Sequence, residues 1–332
     1  MRRIFKWVGV LAIVFAAVWS GWWYIGATGQ KSGLEVWLEQ QRDQGWQAEA
    51  SSIDVSGFPT GFRMEVKDLT LSDPATGWSW DAPLLISENT PDTPTRIAVT
   101  WPDRQTMAVP GDRAEILSQK MQALLDLRPG PSMELREISG EIEALAISGQ
   151  QGWTAGAETV DLKIAERPED LGPVHAYDLQ LEGVKIKLPK EIVARIDPTG
   201  WLRPSVDNLT VLGHAAFDDP LDRLTVEQGR MALRAATIRE AGFEWGDMRL
   251  VVKGAFEVDD NGYPVGDIKI LAREWRQMVR LAISSGIIDR DTARTVTDAV
   301  EFVTALTVQA RCIARITMQF NHLLIRRTGL LM

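Results

Sequence analysis

The spacing of apolar and polar positions changes several times along this chain. From Trp7 to Ile25 there is no charged residue at all. Those 19 residues would make a helix of about 30 Å, the thickness of a bilayer core. Arg2, Arg3 and Lys6 precede the run, Trp7 stands at one end, and Trp22, Trp23 and Tyr24 stand at the other. Basic residues on one flank and aromatic belts at both interfaces predict a single transmembrane helix with its N-terminus in the cytoplasm. The bulky Trp22-Trp23-Tyr24 fills the place where a small-x-small cleavage site would lie, so an uncleaved anchor is favoured over a signal peptide. Helical spacing follows. Leu34, Trp37, Leu38 and Gln41 fall at i, i+3, i+4 and i+7 of a short amphipathic helix over 31–44, with Gly45 as its C-cap.

The period then drops to two. Phe62, Met64 and Val66 alternate with Arg63, Glu65 and Lys67, the mark of a half-buried strand after the turn signal Gly57-Phe58-Pro59. The apolar phase slips at Lys67-Asp68 and resumes at Leu69 and Leu71, which predicts a β-bulge there. Ser72-Asp73-Pro74 opens a turn that closes at Gly77, and Trp78, Trp80, Ala82 and Leu84 fall on one face of the next strand. Two tryptophans on one face bury much apolar area. Phe62, Met64, Trp78 and Trp80 are therefore candidate ligand contacts, against the plainer reading of a core hairpin.

Strand signals recur to about residue 270. They include Ile97-x-Val99-x-Trp101, Val160-x-Leu162-x-Ile164, Tyr177-x-Leu179-x-Leu181 with a phase change at Gly183, and Met248-x-Leu250-x-Val252. The stretch 111–127 suits either a helix or an extended path, and Asp259-Asp260-Asn261-Gly262 is a tight hairpin signal. Helical spacing returns at Trp275, Met278, Val279 and Ala282, and again at Val296, Val300, Val303 and Leu306. Strands followed by helices predict an α+β fold, mostly antiparallel: a long curved sheet or sandwich with a helical hairpin near the C-terminus. The expected domains are a stub and anchor over 1–30, a β-rich domain over 31–270, the helical hairpin over 271–306 and a basic tail over 307–332. Residues 308–332 contain four arginines and no acidic residue. Asp73-Pro74-Ala75-Thr76-Gly77-Trp78 echoes Asp197-Pro198-Thr199-Gly200-Trp201, as reused turns or a duplicated half.

Composition narrows the chemistry. A net charge of -9 argues against nucleic acid as a partner. Cys312 is the single cysteine, which rules out an intramolecular disulfide and a thiolate cluster. Neither phosphate-binding glycine loop is present, so no nucleotide is expected, and H-E-x-x-H and G-x-S-x-G are also missing. Catalytic residues, metal ligands and cofactors are expected to be none. The acidic group Asp218, Asp219 and Asp222 is the strongest candidate for a cation, but it lacks calcium-loop spacing and reads better as a turn. His214 reads as a surface or hydrogen-bonded histidine rather than a base.

The N-terminal run, Gly57-Phe58-Pro59, Gly77-Trp78-Ser79-Trp80-Asp81-Ala82-Pro83, Trp101-Pro102 and Phe217-Asp218-Asp219-Pro220 together resemble a family of bacterial proteins carrying a domain of unknown function. The resemblance covers the chain to about Leu306. It implies a membrane-anchored protein of alphaproteobacterial type with no established activity, and a Gly-rich apolar strand near the C-terminus from which this tail departs. The architecture is also similar to AsmA-type envelope proteins, which place an anchor before a long sheet with an apolar face. The expectation is a non-enzymatic, single-pass inner-membrane protein with its bulk in the periplasm, presenting an apolar sheet face or groove to lipid. The alternatives are an envelope scaffold that binds other proteins and, behind it, an envelope hydrolase.

Overall fold

The computed structural model describes residues 2–90, 92–167, 175–222, 225, 231–286, 288–289, 294, 297–298 and 313–320. They form mostly antiparallel sheet with three helices, in two compact units, Met1–Asp126 and Leu127–Met332.

The first unit opens on α1 (Arg2–Asp43), followed by β1 (Gln47–Glu49), β2 (Ser52–Ser56), β3 (Phe62–Asp73), β4 (Trp78–Thr90), β5 (Thr93–Thr100), β6 (Arg104–Val109), β7 (Asp112–Leu117) and β8 (Lys120–Leu127). The ambiguous stretch 111–127 is thus strand. β1 and β2 lie end to end along β3, β3 pairs with β4, and β4 pairs with β5 and β6. β8 adds to β5, and β7 to β6.

The anchor and the amphipathic helix expected from sequence are one element. No proline interrupts residues 2–43, and the glycines within α1 each cost only about 1 kcal/mol relative to alanine. The expected transmembrane span is not what the structure yields: among the described residues, no helix is long and apolar enough to cross a membrane. α1 ends as foreseen. Gly45, at φ 93°, donates to Arg42 O and Trp46 donates to Gln41 O, which is the Schellman arrangement. Leu38 of α1 is buried with Ala48, Ile53, Val66, Leu69 and Leu71, and Leu34 packs against them.

The slip at Lys67-Asp68 is not a bulge. Register is continuous on both sides of β3, from Ser52↔Lys67 to Glu49↔Thr70 and from Lys67↔Leu84 to Leu69↔Ala82. Asp68 instead adopts φ 48°, and the buried positions step by three, from Val66 to Leu69. β4 makes the same step opposite, where Leu85 rather than Leu84 joins Trp78, Trp80 and Ala82 around the core. Pro83, facing Asp68, has no N–H to lose there.

The second unit is a meander of β9 (Leu135–Gly149), β10 (Thr154–Glu166), β11 (His175–Lys187), β12 (Ser205–Phe217), β13 (Leu233–Trp245), β14 (Met248–Val258), β15 (Pro264–Arg273) and β16 (Ile313–Phe320), each paired antiparallel with the next. Helix α2 (Lys190–Ile196) follows β11, and α3 (Trp275–Ser284) follows β15. α3 is the first helix of the expected hairpin; the second lies outside the described residues apart from isolated positions. Part of the basic tail is β16. α2 and α3 pack on one end of the sheet, where Val193, Met278 and Leu281 meet Val206, Trp245 and Met248.

The two Asp-Pro echoes are reused turns. Asp73 accepts from Ala75 N at 2.9 Å and Thr76 Oγ1 at 2.7 Å in the β3–β4 hairpin. Asp197 accepts from Thr199 N at 3.0 Å and Leu202 N at 2.7 Å after α2. Each turn closes on a glycine with φ near 75°, Gly77 at 73° and Gly200 at 75°.

Candidate functional site

The four candidate contacts lie on β3 and β4. Trp78 leans on Trp46, with ring centroids 5.7 Å apart, and the Trp80 indole N–H donates to Gln105 Oε1 at 2.8 Å. Met64, Trp78 and Trp80 pack around the core that seats Leu38. Phe62 is separate from them. It is buried, stacked on Trp23 at 5.6 Å, with its ring against Gly26 of α1, where a Cβ would come within 2.7 Å of it. The structure therefore brings three of the four together and places the fourth under the helix.

A larger feature lies in the second unit. Pairing carries one row of side chains from Ile164 through Leu179, Gly213, Ile238 and Gly254 to Ile268. The next row runs from Leu162 through Leu181, Val211, Ala241 and Val252 to Ile270. Strand residues two apart share a face, so the rows form one apolar surface on β10–β15, and β9 extends it with Ile138 and Gly140. Its large side chains are half-buried, neither enclosed nor fully exposed. The third row, through Leu209, Phe243 and Leu250, runs toward the end where α2 and α3 pack.

The opposite face is polar. Lys163 pairs with Glu137 at 3.0 Å, Lys253 with Glu240 at 3.0 Å, and Arg249 with Glu244 at 3.3 Å. An antiparallel sheet with one apolar and one charged face normally buries the apolar one.

The apolar surface ends at a line where the inward positions step by three, as in the first unit: Ile142 to Leu145, Ala157 to Val160, Gly183 to Ile186 and Val206 to Leu209. Register is unbroken across this line, and Ala144 and Lys185 take φ 51° and 52°. Lys185 donates to Asp207 Oδ1 at 2.8 Å across the pair, and that contact, with Gly246 N, holds the Asp207 carboxyl below its ordinary range. The phase change foreseen at Gly183 is therefore one member of an aligned set. The strand alternations were visible in the sequence; what they missed was the register that stacks them into rows.

The acidic candidates serve structure. Asp218 forms an ion pair with Arg234, and Asp222 Oδ1 accepts from Thr225 N at 2.7 Å. His214 lies on β12 opposite Asp178, with its Nδ1 buried and without a hydrogen-bond partner among the described residues. Asp218, Asp222 and His214 have no partner in common in these contacts. Among the described residues, no three His, Cys, Asp or Glu side chains gather as a metal site.

The described residues thus define a mostly antiparallel sheet protein with one apolar and one charged face over β10–β15. A family model described as an uncharacterised protein conserved in bacteria, a domain of unknown function (DUF2125), matches residues 22–322, and the chain belongs to that family. No curated protein and no solved structure matches it.

Proposed function

We propose that this protein works at the cell envelope of a bacterium, without enzymatic activity, by holding lipid acyl chains against the apolar rows of its second unit. The observation that carries the reading is the continuity of those rows across β10–β15 with half-buried aliphatic side chains and glycines between them. Each such leucine, isoleucine or valine side chain fully removed from water contributes about 1.5–3 kcal/mol, so even partial cover of the nine in the two rows is a large driving force. Catalysis would need convergent polar groups, which the rows lack.

Membrane association belongs to the same proposal. Trp7, Leu11, Phe15, Val18, Tyr24 and Ile25 of α1 are all more than two-thirds exposed, at 67–74%. Exposed apolar side chains in that density mark an interaction surface, and Arg2, Arg3 and Lys6 beside them suit anionic headgroups. In this reading α1 contacts the inner membrane and the sheet units stand in the periplasm, as in AsmA-type proteins. Trp78 and Trp80 pack against the cluster that buries Leu38 of α1.

The test is lipid content. Full-length protein purified in mild detergent should carry phospholipid by mass spectrometry. The double variant Leu181→Glu, Val211→Glu should carry at least about fivefold less, because two charges cannot be buried against acyl chains. Equal lipid on both proteins, with circular dichroism unchanged, would remove the reading.

A further inference from the structure

We infer that the β2–β3 turn, Gly57–Gly61, is a membrane-contact site in which Phe58 enters the lipid interface beside α1. The inference rests on the proposed contact of α1 with a bilayer and adds a second element to it. Three observations support it. The Trp19 indole donates to Pro59 O at 2.9 Å and the Trp23 indole to Gly61 O at 2.8 Å, so the turn is fixed against the last turns of the uncharged stretch of α1. Those bonds give two turn carbonyls and two indole N–H groups partners within the protein, which a polar group needs where water is scarce. Phe58 meets Trp23 edge to face at 5.5 Å and is still 53% exposed, and nothing from Val55 to Phe62 is charged.

Depth follows from helix geometry. Trp19 lies six residues before Ile25, about 9 Å along the axis. Ile25 is 72% exposed, and no charged residue occurs between Ile25 and Lys31. A bilayer that covers the exposed apolar side chains of α1 as far as Ile25 would therefore also reach the Gly57–Gly61 turn. The occupant is a bilayer containing anionic phospholipid, because Arg2, Arg3 and Lys6 immediately precede the uncharged apolar stretch in the sequence.

The test uses the full chain with Cys312→Ser, reconstituted in vesicles of phosphatidylcholine and phosphatidylglycerol. Single cysteines at Phe15→Cys, Phe58→Cys and Ala75→Cys carry an environment-sensitive fluorophore. The expected result is a blue shift and quenching by spin-labelled lipid at positions 15 and 58, with neither at 75, in the exposed β3–β4 turn at the other end of β3. Lipid contact at 15 with water at 58 would overturn the turn's role while leaving α1 on the membrane. Water at both would overturn the two proposals together. A blue shift at 58 without lipid that grows with protein concentration would assign the surface to a second copy of the chain and overturn the inference. Trp19→Phe with Trp23→Phe should reduce quenching at 58 and leave it unchanged at 15.

Discussion

At the scale of single residues, stability rests on a few unusual backbone positions. Asp68 holds a left-handed conformation within β3, and its Oδ2 accepts from Ser51 Oγ at 2.8 Å. Asp68→Val should cost about 1–3 kcal/mol, because a β-branched residue resists positive φ and cannot accept the hydroxyl. Asp68→Gly should cost less, and urea titrations of the two variants would separate strain from the lost hydrogen bond. Gly26 makes a similar point about packing. Its hydrogen faces the buried Phe62 ring, so Gly26→Val should lower the melting temperature by overpacking, at about 1–3 kcal/mol.

Turn carboxylates set the acid limit. Burial pushes the Asp197 carboxyl upward, but hydrogen bonds from Thr199, Leu202 and Trp201 outweigh it and hold the group below its ordinary value. Asp73 is lowered by Thr76 and the Ala75 amide, and Asp207 by Lys185 and the Gly246 amide. A carboxyl depressed in the folded state contributes stability above its unfolded value of about 3.9 and loses it as pH falls through the folded value. The protein should therefore be at full strength from these groups near neutral pH and weaken below about pH 4. Asp197→Asn should flatten that acid limb in a pH series of thermal melts; an unchanged limb would remove Asp197 from the account.

At the scale of elements, strand content was legible and strand geometry was not. Alternations such as Val160-x-Leu162-x-Ile164 and Tyr177-x-Leu179-x-Leu181 correspond to β10 and β11. The slip at Lys67-Asp68 was also visible, yet its cause was not, because an apolar step of three fits a bulge and a left-handed residue equally well. The register separates them, and register depends on long-range pairing that one strand does not encode. The Trp22-Trp23 pair suggested a membrane belt, whereas the structure packs Trp22 and Trp23 against Phe62 from β3. Composition alone does not distinguish an aromatic that meets lipid from one that meets protein. The step of three was present in the sequence of β3, β10 and β12 as short apolar-polar-polar-apolar motifs, Val66-Lys67-Asp68-Leu69, Ala157-Glu158-Thr159-Val160 and Val206-Asp207-Asn208-Leu209. Glycines on the apolar rows carry a further prediction. A Cβ at Gly213 would sit 2.4 Å from Thr237 O, and one at Gly254 2.2 Å from Asp267 O. Both contacts are with backbone, which does not swing aside. Gly213→Val or Gly254→Val should reduce stability by more than the same change at Gly61, which likewise lies outside the left-handed region and where a Cβ would stay 3.5 Å from Asn89 O. The comparison by chemical denaturation isolates the steric part.

At the scale of the molecule, the proposed function gives the apolar rows of the second unit and the exposed apolar stretch of α1 the same solvent, lipid. The rows became recognisable only when seven neighbouring strands were placed in register, which is why the sequence directed attention to Trp78 and Trp80 instead. Those tryptophans pack against the cluster that buries Leu38 of α1, and the proposed ligand surface is the aliphatic rows. The most direct test is site-specific photo-crosslinking in bacterial membranes with benzoylphenylalanine at Leu181, on the apolar face, and at Gln180, on the opposite face. Lipid crosslinked at 181 and absent at 180 is the result predicted here; lipid at neither position, or equally at both, would contradict it.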